Sequence, residues 1–167
     1  ETHRDRAKDL FFIPYLAGAG FPHENPDEPA KVIGLKLSHD RYDLARALME
    51  GVAFEARWVL EELKRLGCPA GKLIMTGRTA HSDLWRGILR DVTGCEILVT
   101  EEADTCCIGA AMLAPVGAGI RSSLPEAAEQ MTRIAVRDLP QAEGVAFYNE
   151  KYRRYRELAD DGFDKGR

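Results

Sequence analysis

Residues 30–51 contain the feature that most constrains the fold, a short apolar segment followed closely by an amphipathic helix. Val32 to Leu37 has the composition of a short strand. Ser38 or Asp40 is suited to cap a helix that begins near Tyr42. The helix is predicted from apolar residues that recur at helical spacing, which are Leu44, Ala47, Leu48, Gly51, Phe54, Trp58 and Leu66.

The rest of the chain continues this alternation of strand-like and helix-like segments. Residues 10–16, 72–75 and 96–100 are predicted strands, with 72–75 buried, and 134–139 is a further extended segment. Helices are predicted at 82–92, 105–119, 125–132 and 145–158, the second of them shortened or kinked by Pro115. The first of these has Leu84, Trp85, Ile88, Leu89 and Val92 on its inner face. Strands that alternate with helices predict an α/β layer architecture.

Length and composition are those of one globular domain. The chain has 167 residues, of which 45% are hydrophobic and 30% charged, so it can form a sizeable core. Its net charge is −4 and its lysines and arginines are scattered, which does not indicate a nucleic-acid surface. No apolar run approaches the about 20 residues that span a bilayer, and no secretory signal is recognised. We therefore expect neither nucleic acid nor a membrane as a partner.

The cysteines and histidines do not have the spacing of a metal site. An adjacent pair such as Cys106 and Cys107 bridges poorly, and no Cys-x-x-Cys occurs, so we expect reduced thiols in a cytoplasmic protein. The histidines have no cysteine or acid at ligand spacing, so no metal ligand is predicted. The residues concerned are Cys68, Cys95, Cys106, Cys107, His3, His23, His39 and His81.

The segment 30–50 resembles the carboxy-terminal signature of the FGGY carbohydrate kinases. Only Leu48 departs from it, where smaller residues are usual. The resemblance extends from about Leu10 to Leu158 and implies an actin-like ATPase (ribonuclease H-like) domain, a mixed sheet flanked by helices. It implies that residues 1–167 are a carboxy-terminal nucleotide-binding domain, without the amino-terminal sugar-binding domain. The matching residues are Ala30, Val32, Gly34, Leu35, Asp43, Leu44, Ala47 and Glu50.

A second motif, residues 73–85, places a tight turn between a strand and a helix. By itself a glycine in such a turn is more often part of an ordinary connection, although it lets a ligand approach the main chain. In FGGY kinases this turn is typically Gly-Gly-Gly-Ala-x-Ser and packs against the adenosine of ATP. The resemblance holds at Gly77, Ala80, Ser82 and Trp85 and departs at Arg78 and Thr79. It therefore implies Gly77, Arg78, Thr79 and His81 as nucleotide-binding residues, although a solvent-exposed capping role for His81 is equally compatible.

Arg78 leaves two alternatives open. If its backbone must be left-handed, a non-glycine residue costs about 1–2 kcal/mol. Its guanidinium could block the adenine pocket, or it could lie across the base or attract phosphate charge. The chain is then either a normal nucleotide-binding domain or a degenerate lobe.

Several other segments and residues have expected roles, most of them in packing or support. In the segment 104–114, which resembles the family's Gly-Ala-Ala-x-x-Ala helix, small residues are expected to pack closely, with Cys106 and Cys107 in the core or at its rim. The loop 101–105 is a weaker candidate contact, and Glu50 is expected to support the fold rather than act in catalysis. In the loop 12–22, Ala19 and Gly20 replace the usual Glu-Arg pair. The small residues are Gly109, Ala110, Ala111 and Ala114, and Trp58 and Trp85 are expected in the core.

The resemblance, closest to the xylulokinase-like branch, implies ATP-dependent phosphorylation of a ketose or polyol, assisted by Mg²⁺. The catalytic Asp, the sugar pocket and the phosphate-gripping loop belong to the upstream part of such kinases. We therefore expect no catalytic residue here and little or no turnover from the isolated fragment. The partners implied are the sugar, ATP and the amino-terminal domain, and a homodimer with a second copy is left open. The alternative is a degenerate, non-catalytic lobe for assembly or regulation. A nuclease is disfavoured because the strand segments 73–75 and 97–100 contain no carboxylates.

Overall fold

The computed structural model describes residues 7–102 and 104–163, so His3 lies outside the described residues. These residues form five strands, five α-helices and one 3-10 helix. In chain order they are β1 (Phe11–Ile13), β2 (Lys31–Ile33), α1 (Arg41–Arg65), β3 (Lys72–Met75), the 3-10 helix (Arg78–His81), α2 (Asp83–Thr93), β4 (Glu96–Thr100), α3 (Thr105–Gly117), α4 (Leu124–Met131), β5 (Ile134–Asp138) and α5 (Ala142–Phe163).

The strands form two small sheets. β1 and β2 pair antiparallel, with Phe12 opposite Val32. In the second sheet the order is β3-β4-β5; β4 pairs parallel to β3 and antiparallel to β5. Helix α2 crosses one face of this mixed sheet and also packs against α1 and α5. The predicted α/β architecture, a mixed sheet with flanking helices, is thus confirmed. None of the described helices is both long and apolar enough to cross a bilayer.

The first two strands are shorter than predicted, because a proline ends one and a glycine with positive φ ends the other. β1 stops at Ile13, directly before Pro14, which has no N–H to donate to a ladder. β2 stops at Ile33, because Gly34 adopts φ +84° and leaves the extended conformation. The segment between Gly34 and the helix is therefore irregular.

Two apolar positions predicted to be inside lie outside. Ile74 in β3 is 60% exposed, because successive side chains of a strand point to opposite faces and Leu73 and Met75 take the face that packs in the core. Met75 is the one buried residue of β3. Leu84 is 52% exposed, because it lies at the margin of the inner stripe of α2, in the first turn. The prediction of a fully buried β3 is wrong for the described chain.

Helix α1 begins with a reciprocal cap at Asp40, one of the two predicted candidates. The Asp40 carboxylate accepts hydrogen bonds from the N–H groups of Tyr42 (2.8 Å) and Asp43 (3.1 Å). The Asp43 carboxylate in turn accepts from the N–H of Asp40 at 3.0 Å. This capping box satisfies donors that the helix itself leaves unpaired, and such a cap is worth about 1 kcal/mol.

The main core lies where α1 meets α5. Phe54 is 1% exposed, and its ring lies 4.9 Å from that of Tyr155, centroid to centroid, and 5.7 Å from that of Tyr152. Burial of such a side chain contributes roughly 1.5–3 kcal/mol. On another side of α1, Gly51 contacts β1 so closely that any Cβ would clash with the carbonyl oxygen of Phe12. The glycine that follows Glu50 is therefore a packing requirement.

Candidate functional site

The candidate site is the connection between β3 and α2. Gly77 ends the strand segment with φ 76° and ψ −172°, a conformation that is essentially restricted to glycine. The 3-10 helix follows at once, and its first hydrogen bond runs from the N–H of Ala80 to the carbonyl of Gly77 at 3.2 Å. A Cβ built on Gly77 would have no atom within 4 Å. The main chain at this turn is therefore open to an approaching group.

The four predicted site residues lie together on this turn. Arg78, Thr79 and His81 are exposed and Gly77 is half-buried. The first N–H groups of a helix have no intrahelical acceptor. In this 3-10 helix no side chain caps them either. Within the described ranges, the Arg78 side chain has no hydrogen-bond or ion-pair partner.

Arg78 causes no backbone strain. Glu24 is the one described residue other than glycine with a positive φ, so the left-handed conformation at this turn belongs to Gly77 alone. The cost considered for a non-glycine residue at position 78 therefore does not arise. The Arg78 side chain is exposed. Arginine in place of glycine at this position therefore changes only the charge and the space available beside the turn.

Two neighbouring residues fix the turn to the domain. The methyl group of Ala80 is 1% exposed and packs in the cluster that contains Met75, Ile97 and Val99. The helix predicted from Ser82 begins at Asp83, with Ser82 as its cap, and the Ser82 hydroxyl accepts a hydrogen bond from the N–H of Trp85 at 3.3 Å. A buried methyl group and a hydroxyl cap thus both attach the turn to the domain.

Arg86 is a buried cation beneath the turn that the sequence reasoning did not identify. It is 9% exposed, and Nη1 donates to the carbonyl of Ala80 at 2.8 Å. Nε donates to Asp138 at 2.8 Å, and Nη2 donates to Asp83 at 2.5 Å. The hydrogen bond to Asp138 raises the pKa of Arg86, so the guanidinium remains charged. The spacing of Asp83 and Arg86 indicates a helical ion pair, but no local signal predicts the contact with Asp138.

Glu50 is tied to α5 rather than to a reacting group. Its side chain is 1% exposed and accepts hydrogen bonds from Arg46 (2.8 Å), Tyr148 (3.1 Å) and Lys151 (2.5 Å). Lys151 also donates to the carbonyl of Ala7. Burial lowers the pKa of Lys151, and the Glu50 carboxylate opposes that shift. The supporting role expected of Glu50 takes the form of a buried ion pair.

The small residues of α3 are not close-packed in the described chain, contrary to expectation. Gly109, Ala110, Ala111 and Ala114 are exposed, and no residue of α3 is buried. The reason is that α3 packs chiefly against α4, and within the described chain this packing leaves all four residues exposed. Cys106 and Cys107 are exposed as well, and the described cysteines are all free.

A cavity of about 210 Å³ lies where β4 ends, between α3 and α4. Glu102 and Thr105, from the loop named as a weaker candidate contact, line it together with Ile108, Met112 and Arg133. Residue 103 of that loop is outside the described residues. The cavity is smaller than the roughly 300–1,000 Å³ of most ligand sites.

The described residues do not offer a metal centre. Over 7–102 and 104–163, no group of three or more His, Cys, Asp or Glu side chains is placed to hold an ion. Mg²⁺ prefers carboxylates and phosphate oxygens in octahedral geometry. The described residues therefore do not form an all-protein cage for Mg²⁺.

Comparison with known proteins identifies relatives of this chain. Residues 3–118 match the FGGY family of carbohydrate kinases, C-terminal domain. The chain is 33% identical to the L-xylulose/3-keto-L-gulonate kinase of Escherichia coli (strain K12) over 150 residues. The aligned part is 90% of this chain and 30% of that kinase. It is 31% identical to the xylulose kinase of Bacillus subtilis (strain 168) over 152 residues, which are 91% of this chain and 30% of that kinase.

The fold is likewise that of solved sugar kinases. The ligand-bound xylulose kinase of Lactobacillus acidophilus superposes with a TM-score of 0.83 at 23% identity, over 93% of this chain and 31% of that one. The predicted actin-like ATPase fold is confirmed. The chain spans about 30% of the length of the two curated relatives described above.

Proposed function

Because the chain belongs to the FGGY family of carbohydrate kinases, we propose that the full-length protein transfers the γ-phosphate of ATP to a hydroxyl group of a ketose or polyol. In this proposal residues 1–167 are the carboxy-terminal nucleotide-binding domain. They supply the adenosine side of the cleft through Gly77, Arg78, Thr79 and His81. The identity of two relatives as kinases of L-xylulose/3-keto-L-gulonate and of xylulose favours a ketose.

The observation that carries the proposal is the open main chain at Gly77. The purine base of a nucleoside is flat and has apolar faces, so it packs best where no side chain projects. Gly77 offers such a place, since nothing lies within 4 Å of where its side chain would be. The N–H groups at the start of the 3-10 helix are available as donors, and the free Arg78 guanidinium adds a positive charge beside them.

The chemical step is assigned to the rest of the full-length protein. Phosphoryl transfer depends on positioned phosphates, a divalent cation that neutralises developing charge, and a base for the hydroxyl proton. No group of three or more possible metal ligands occurs among the described residues, and no catalytic residue is assigned to this chain. We therefore propose that it binds and orients the nucleoside and is inactive by itself.

The missing partner of this domain is proposed to be the amino-terminal part of the same kinase. The exposed small residues of α3 and the one-sided pairing of β3 are compatible with further chain packed against this domain. A cytoplasmic location fits the free cysteines. The homodimer implied by the resemblance stays a prediction.

The second candidate function is a degenerate, non-catalytic lobe. It is favoured by Arg78 and Thr79 at positions where the family prefers glycine, and by Ala19 and Gly20 in place of a Glu-Arg pair. The absence of strain at Arg78 weakens this candidate. The positive φ at this turn is at Gly77 alone, so arginine at position 78 does not distort the main chain.

Calorimetric titration of the full-length protein with ATP separates the two candidates. We expect dissociation constants in the micromolar to millimolar range, together with release of ADP when ketoses and polyols are supplied with Mg²⁺. No binding at several times such concentrations contradicts the kinase and supports the degenerate lobe. Arg78→Gly serves as a comparison: tighter ATP binding shows that the guanidinium obstructs the site, whereas unchanged affinity excludes obstruction.

A further inference from the structure

Arg86 connects the turn of the candidate site to two other parts of the fold. Its guanidinium binds a main-chain carbonyl inside the 3-10 helix, the carboxylate of Asp83 on α2 and the carboxylate of Asp138 at the end of β5. Asp138 lies 52 positions away in sequence. A planar guanidinium offers donors in a fixed fork, so these three acceptors are held in one relative geometry.

The carbonyl bound by Arg86 belongs to Ala80, which is itself part of the turn. The last carbonyl groups of a helix have no intrahelical donor and need another partner. Arg86 supplies that partner from below, while Arg78, Thr79 and His81 point into solvent. The exposed site residues are therefore fixed through Ala80 rather than through contacts of their own side chains.

We propose that Arg86 is a positioning residue for nucleotide binding, holding the turn from Gly77 to His81 at a set distance from β5. This inference rests on the proposed function, since it assigns Arg86 to the same site. Arg86 does not touch the nucleotide, but it keeps the open main chain at Gly77 in the conformation that accepts it. Its loss lets the turn move relative to the sheet and so weakens ATP binding.

Arg90 is a matched control on the same helix. Its side chain is 13% exposed against 11% for Arg86, and it also forms a doubly hydrogen-bonded ion pair, with Asp91 at 2.7 and 2.8 Å. Asp91 accepts a hydrogen bond from the N–H of Gln141, and among the described residues neither Arg90 nor Asp91 forms a hydrogen bond or ion pair with the turn. Arg90→Gln therefore removes a comparable buried charge without releasing the candidate site.

The first measurement is hydrogen–deuterium exchange on the full-length protein without nucleotide. Arg86→Gln is expected to speed the exchange of the Ala80 and Ser82 amides, which bond to the carbonyls of Gly77 and Thr79, by about tenfold or more. Arg90→Gln is expected to leave those amides unchanged and to speed exchange near Gln141 instead. Equal exchange at the turn in both variants overturns the positioning role. This result does not depend on ATP, so it decides the inference even if the protein binds no nucleotide.

The second measurement is ATP affinity together with the KM for the sugar. Arg86→Gln is expected to raise the Kd for ATP at least tenfold while the sugar KM, at saturating ATP, stays within twofold. Arg86→Lys keeps the charge and one donor, and is expected to lose less affinity; it replaces Arg86→Gln in both measurements if that variant does not fold. Wild-type ATP affinity in the Arg86 variants, or equal weakening in Arg90→Gln, overturns the proposal. Failure of the wild-type protein to bind ATP contradicts the proposed function instead.

Discussion

The ammonium group of Lys151 lies 2.5 Å from a carboxylate oxygen of Glu50, and both side chains are almost completely buried. Removing two charges from water is costly, and their attraction offsets this cost only when the remaining donors and acceptors are satisfied. Arg46 and Tyr148 complete the bonding of Glu50, while the carbonyl of Ala7 accepts from Lys151. The cluster therefore joins α1, α5 and the start of the described chain.

Replacement of Glu50 by Gln is expected to lower the free energy of unfolding by about 3–5 kcal/mol. The volume is kept, but Lys151 loses its charge partner and remains buried. Urea unfolding of the purified protein measures the change. The double variant Glu50→Gln with Lys151→Met is the comparison, because it removes both charges, and it is expected to be less destabilised than Glu50→Gln alone. If the double variant is the less stable of the two, the ion pair does not explain the effect.

Gly51→Ala is expected to destabilise the fold, although alanine is the better helix former. The added Cβ would clash with the carbonyl of Phe12, and the main chain must shift, at a cost of about 1–3 kcal/mol. Gly87 is the control, since it is also within a helix and a Cβ there meets no atom within 4 Å. Gly87→Ala is expected to stabilise by about 0.5–1 kcal/mol. Thermal unfolding gives both signs, and a stabilising Gly51→Ala would disprove the close approach.

Local patterns predicted the parts of the fold that depend on neighbouring residues. The cap at Asp40, the helix that begins at Arg41 and the strand Glu96–Thr100 all follow from spacing within a few positions. The site residues Gly77 to His81 were also predicted to lie on a turn between a strand and a helix. The sequence could not predict that their backbone is open and unstrained, because the side chain of Arg78 does not determine its φ.

Long-range contacts and exposure could not be predicted in the same way. Lys151 lies 101 positions from Glu50, and Asp138 lies 52 positions from Arg86, so no helical or strand period connects either pair. Small residues in α3 indicated close packing, but in the described chain none of the residues of this helix is buried. A pattern shows that a face is suited to packing, whereas the fold decides whether anything covers it.

Acidification is expected to destabilise the protein through His23. Burial lowers the pKa of His23 below its ordinary value of about 6.5, with Asp160 raising it and Arg156 lowering it further. The unfolded chain therefore binds this proton first, so stability is full above pH 6.5 and falls as the pH drops below it. Urea midpoints between about pH 7 and pH 5 measure this slope. His23→Gln should flatten the slope and the exposed His81→Gln should not; equal slopes in all three proteins would exclude His23 as the cause.

Gly77→Ala is expected to weaken ATP binding by the full-length protein at least tenfold. The methyl group would project into the space in which the nucleoside is proposed to lie, and alanine resists φ 76° with ψ −172°, at a cost of about 1–3 kcal/mol. Gly94→Ala carries a related strain, since Gly94 has φ 67° and open space around its missing Cβ, but it ends α2 away from the turn. Both variants should unfold at lower temperature than the wild type, while only Gly77→Ala should lose affinity in a titration below both transitions. Wild-type affinity in Gly77→Ala would show that the nucleoside binds elsewhere, because the alanine methyl group would occupy the space proposed for it.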